Sequence, residues 1–66
     1  MDTLRRSVVR ALNDELGPAA EGLAVRIERA KTVDDLRPLL VQAVQLVGSA
    51  RGRAAAEAFA TRMPEI

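Results

Sequence analysis

The chain has no cysteine, histidine, tryptophan or tyrosine. Without cysteine there is no disulfide, and without cysteine or histidine there is no structural zinc site with the usual sulfur and nitrogen ligands. The same absences remove the side chains most used as nucleophile or general base near neutral pH. Only carboxylates and a single lysine, Lys31, remain for that work. A chain of 66 residues is of a size that commonly relies on disulfides, a metal or oligomerisation to reinforce its small core. With the first two excluded, self-association or attachment to a larger body is expected, and the chain reads as one domain, part of a larger protein. No cofactor, metal or small-molecule substrate is inferred. No apolar run approaches the roughly 20 residues that cross a bilayer, and no secretory apolar stretch follows the charged opening residues. The expectation is a cytoplasmic chain with no membrane partner.

Charge of one sign is lacking as well. Ten basic residues face nine acidic ones, for a net charge of +1, far from the basic excess of a dedicated nucleic-acid binder. Aromatic packing is scarce, since Phe59 is the one aromatic residue. Eight Leu, seven Val and twelve Ala must supply most of the core. Alanine lets helices approach closely but buries little area, so a thin core is expected.

What is present is helical periodicity, divided by Gly17-Pro18, Thr32 to Asp35, Gly48-Ser49 and Pro64. These marks predict an all-α fold, a small bundle of about four short helices. The first spans about Thr3 to Leu16, with Leu4, Val8, Leu12 and Leu16 at four-residue spacing on one face. Val9 and Ala11 lie beside that stripe. Gly17 suits a left-handed cap and Pro18 the opening turn of the next helix. That second helix spans about Pro18 to Lys31, with Ala20, Leu23, Ala24, Ile27 and Ala30 on its inner face and Val25 off it. The third starts near Asp34, capped by Thr32 or Asp34, which leaves Pro38 in or near the first turn. A start at Val33 would put Pro38 deep enough to bend the helix. Its stripe is Leu36, Leu39, Leu40, Ala43 and Val47, widened by Val44 and Leu46, with Val41 nearly opposite, and Gly48 ends it. The fourth follows Ser49 as N-cap, or begins at Arg53 because Gly52 weakens its first turn. It shows Ala55, Ala56, Phe59 and Met63 on one face, and Pro64 ends it.

Three groups invite a chemical reading. Asp34-Asp35 resembles a carboxylate pair, but acidic residues at a helix start also complement its dipole, and capping is the expected role. Asp14-Glu15 sits at a helix end, where negative charge is unfavourable, and a surface ion pair between Arg10 and Asp14 is expected. Gly48 to Arg53 has glycines, a hydroxyl and two arginines ahead of a helix, a composition able to hold phosphate, yet it lacks the spacing and lysine of a P-loop. An ordinary helix–helix turn is expected there. The hydroxyls have no activating partner and no known nucleophile motif. A helix-turn-helix over Leu40 to Phe59 would set Arg51 and Arg53 at the start of its second helix. The next residues, Ala54-Ala55-Ala56-Glu57-Ala58, offer little to read base edges.

Residues 15–30, from Glu15-Leu16-Gly17-Pro18-Ala19-Ala20 to Arg26-Ile27-Glu28-Arg29-Ala30, resemble a short helical accessory domain found at the C-terminus of bacterial signalling proteins. Those proteins include serine/threonine kinases, cyclases and response-regulator-like proteins. The shared pattern is a leading helix, L-G-P-x-A, and an apolar helix ending in R-x-x-x-A. A helix with spaced leucines comes next, here Leu36, Leu39 and Leu40, and then a last helix with an Arg–Phe pair. The Arg53–Phe59 spacing is longer than that pattern, and Gly52 and the alanine-rich last helix depart from it. The resemblance implies a noncatalytic domain for self-association or docking, and no site residues.

Taken together, the sequence predicts a noncatalytic protein-interaction or oligomerisation module whose partner is another protein or a second copy. Val25, Val41 and Leu46, which the intrachain faces do not need, are the candidate interface residues. Two alternatives stay open: a small DNA-binding regulator using Arg51 and Arg53, and an intramolecular regulatory domain of an attached enzyme.

Overall fold

In the computed structural model, which describes residues 2–63, every regular element among the described residues is helical. Helix α1 covers Asp2–Leu16, a single 3-10 turn covers Gly17–Ala20, and α2 covers Glu21–Glu28. Helix α3 runs from Val33 to Arg51 and α4 from Arg53 to Arg62. The all-α class is thereby established. The expectation of about four short helices is slightly off, because three helices (α1, α3 and α4) reach ten residues or more and α2 has only eight.

The local causes can be read residue by residue. Gly17 takes φ 59°, and Pro18 comes next at the start of the 3-10 turn. The turn of residues 17–20 therefore precedes α2 proper, which is why that helix is shorter than its apolar pattern. It also stops early, at Glu28, with Arg29 and Ala30 donating back to the carbonyls of Val25 and Ile27 at 3.1 Å each. Arg29 and Lys31 consequently lie beyond the helix, which the sequence pattern carries to about Lys31. Helix α3 begins at Val33, with Thr32 as N-cap and its Oγ1 accepting from the Asp35 N–H at 3.1 Å. Pro38 is thus inside the helix. The carbonyl deprived of a donor by Pro38 belongs to Asp34, which is exposed, so water can satisfy it.

The third helix departs most from expectation. It does not end at Gly48 but continues through Ser49 to Arg51. Gly48 lies against Ala56 of α4, where an added Cβ would approach the Ala56 Cβ to 3.4 Å. Gly48 is therefore a packing residue that lets α3 and α4 approach closely. Ser49 is not an N-cap. Gly52, with φ 95° and ψ 170°, ends α3 and begins α4 with no side-chain cap. Pro64, expected to end the last helix, lies outside the described residues.

The stripes converge on one core. Val8, Ala11 and Leu12 of α1 join Ala20, Ile27 and Ala30 of the second segment, where Ala24 is buried as well. Leu36, Leu39, Leu40, Ala43 and Val47 line α3, and Phe59 comes from α4. Helix α3 packs against the other three helices, while α4 rests mainly on α3 with a smaller contact to α1. The largest side chains wholly removed from solvent are Phe59, Leu12, Ile27, Leu36, Val8 and Val47.

Candidate functional site

Among the described residues no polar or charged residue is buried, and no group of three Asp or Glu side chains is placed to hold a metal ion. Among them, too, no helix is long and apolar enough to cross a membrane. What chemistry the surface offers lies in its ion pairs and its exposed apolar side chains.

The acidic end of α1 is occupied in a way the sequence did not suggest. Asp14 pairs with Arg62 at 3.4 Å instead of with Arg10. Glu15 pairs with Arg51 at 3.2 Å and with Arg62 at 3.4 Å. The Arg51 guanidinium also donates to the Glu15 carbonyl at 3.1 Å, supplying a donor at the end of a helix whose last carbonyls lack one. Two arginines from the ends of α3 and α4 thus offset two carboxylates at the negative pole of α1. At the other end, the guanidinium of half-buried Arg5 donates to the Ala30 carbonyl and to the Asp2 carboxylate, tying α1 to the loop after α2. Sequence reading missed the Arg5–Ala30 and Arg62–Asp14 ties, whose partners lie 25 and 48 residues apart in the chain.

The arginines of the phosphate-loop and DNA readings are likewise committed. Arg51 is held by Glu15, and Arg53 reaches Glu57 one turn along its own helix at 3.3 Å. Gly48 and Ser49 lie within α3, so no glycine loop opens onto a helix start at Ser49. Asp34 and Asp35 are both exposed in the first turn of α3. Asp34 has Arg37 at 3.7 Å, and the backbone of Asp35 is engaged by the Thr32 cap.

Among the described residues three large apolar side chains stand in solvent: Val41 at 57 % exposure, Val25 at 39 % and Val33 at 38 %. Val41 is on the outer side of α3, where its neighbours one turn away include exposed Arg37, Pro38 and Gln45. Val25 lines an open cleft of about 520 Å³ between α1 and α2. Val9, Pro18 and Ala24 line it as well, together with the polar Asn13, Glu21 and Glu28. Leu46 is half-buried and packed against the core. The structure does not place the three candidate residues in a common cleft. Val33, which the sequence offers only as an alternative helix start, joins the exposed set; it lies about two turns before Val41 on the same helix, and that i, i+8 spacing is the available signal.

Comparison with family models, with curated proteins and with solved structures gave no match.

Proposed function

We propose that the chain is a noncatalytic helical interaction module that associates with a second copy of itself through exposed apolar helix surface. Its setting is a larger bacterial regulatory or signalling protein, as its resemblance to signalling accessory domains suggests. The observation that carries the reading is Val41, more than half exposed in the middle of the longest helix. Val25 and Val33 bring the exposed valines to three, on a molecule whose buried core has one large aromatic side chain.

The test is Val41→Glu. A carboxylate in an apolar contact must be desolvated without a partner, so the variant is expected to lose the assembly in light scattering while its circular dichroism stays helical. An unchanged solution mass overturns the reading, as does a parent chain that stays monomeric at millimolar concentration. The DNA-binding alternative is not favoured, because both of its arginines already face carboxylates.

A further inference from the structure

We propose that Gly52 is a hinge through which two copies of this chain exchange their last helices. The reversal between α3 and α4 consists of that one residue. Hydrogen bonding of helical spacing continues on both sides of it: the Gly52 N–H donates to the Gly48 carbonyl at 2.9 Å, and the Ala56 N–H donates to the Gly52 carbonyl at 3.1 Å. Only the backbone angles of Gly52, φ 95° and ψ 170°, interrupt the helix. Between the two bonds lie the N–H groups of Arg53, Ala54 and Ala55, which have no partner within α4 because they open it. In an uninterrupted helix those three groups would donate to the carbonyls of Ser49, Ala50 and Arg51. The flanking residues, Ala50, Arg51, Arg53 and Ala54 to Ala56, are strong helix formers.

Rotation at Gly52 alone therefore joins the 19 residues of α3 to the 10 of α4. The product runs from Val33 to Arg62 and is about 45 Å long. The closed molecule measures 29 Å along its longest axis, so the freed α4 projects beyond its own domain and cannot return to it. It carries with it Phe59, wholly buried in the closed form, and half-buried Ala55, Ala56 and Met63. The surface with the matching shape is the site that a second copy's α4 has left. There the Gly48–Ala56 approach, the Phe59 pocket and the pairing of Arg62 with Asp14 and Glu15 all re-form between chains. Such exchange needs no new surface, and short hinge loops invite it. It is also independent of Val41, which lies outside these contacts.

The substitution that tests the hinge is Gly52→Ala. In the closed form the Cβ would meet no atom within 4 Å, so steric space does not oppose it. The positive φ does, and the same alanine is favoured in a continuous helix. With one hinge in each copy, the dimerisation constant is expected to rise by about a hundredfold or more. Mass is read by light scattering over a concentration series. Because the chain has no native cysteine, Gln45→Cys and Thr61→Cys can carry spin labels. Doubly labelled chains diluted into unlabelled ones should report a separation of about 24 Å along one helix in the dimer, and a shorter hairpin distance in the monomer. Two glycines inserted after Gly52 should hold each chain closed, with the short hairpin distance kept. A Gly52→Ala chain that stays monomeric, that unfolds, or that dimerises with the short distance kept overturns the proposal. Val41→Glu separates the two modes of association: a chain that keeps its mass and shows the long distance sinks the valine surface and leaves the exchange standing.

Discussion

The two chain reversals, at Gly17 and at Gly52, use the same device and differ in the residue that comes next. Both glycines have positive φ, 59° and 95°, and neither would bring a Cβ into contact with a neighbour. After Gly17 comes Pro18, and a 3-10 turn intervenes before α2. After Gly52 comes Arg53, already the first residue of α4. Proline inside a helix removes a hydrogen bond and clashes with the carbonyl four residues back, at about 3 kcal/mol or more. Fusing α1 to α2 would add that cost at Pro18, a cost α3 already carries at Pro38, so fusion is disfavoured there even when Gly17 is free to rotate. Nothing comparable guards the second reversal. What keeps α4 folded back is packing, with Phe59 at its centre, reinforced by the ion pairs of Arg62. A reversal backed by a backbone penalty outlasts the loss of its packing, whereas one held by packing alone persists only while that packing holds.

The largest expected effect comes from removing that packing. Phe59→Ala deletes the one aromatic side chain of the core, which is wholly buried. Such truncations cost roughly 3–5 kcal/mol. A chain of this size has about 3–10 kcal/mol in total, so the variant should be largely or nearly unfolded at ambient temperature by circular dichroism. If its urea midpoint drops by less than a fifth, α4 is not held by Phe59, and the contrast between the two reversals loses its basis.

A smaller and more discriminating effect is expected from Gly17→Ala. Left-handed backbone disfavours alanine by about 1–2 kcal/mol, and chemical denaturation should show a loss of that size. The same change at Gly52 is expected to produce dimers, because there the helix has somewhere to go. At Gly17, Pro18 closes that route, so light scattering should show no gain in association over the parent chain. An equal gain in association by both variants would mean that Pro18 confers no protection.

Much of this fold was legible in the sequence because one period governs most of it. The inner stripes of α1, α2 and α3 were read from residues three or four apart, and Val8, Leu12, Ile27, Leu36, Ala43 and Val47 are all buried. The boundaries were less legible, for a definite reason. A glycine is read as a helix end, yet Gly48 is interior because Ala56 comes close beside it, a fact about a neighbour eight residues on. Its cost of about 1 kcal/mol relative to alanine is offset by that packing. Pro38 was placed early in its helix on the assumption of a start near Asp34, whereas the Thr32 cap sets the start at Val33. Least legible were the ties of Arg5, Arg51 and Arg62, since no local pattern tells an arginine which distant helix end it will meet. For the candidate interface, sequence reading singled out Val25 and Val41, which are exposed. Leu46 is half-buried against the core, consistent with its position at the margin of the α3 stripe.

The smallest expected effect concerns how α4 is fastened at its far end. Arg62 lies 3.4 Å from both Asp14 and Glu15, with its side chain about half exposed. Exposed pairs of this kind contribute roughly 0.2–1 kcal/mol and weaken in salt. Glu15 also keeps Arg51 at 3.2 Å, so Arg62→Gln leaves one cation at the negative pole of α1. A loss of a few tenths of a kcal/mol is expected, fading by about 1 M sodium chloride. The informative measurement is the dimerisation constant of the Gly52→Ala chain with and without Arg62→Gln. In the closed monomer Arg62 meets its own Asp14 and Glu15; after exchange it meets those of the second copy, with the same geometry. Both states then lose the same interaction, and the constant should stay within about twofold. A drop well beyond that would show that the pair differs between the two states, and that the helices meet in the dimer by some route other than exchange.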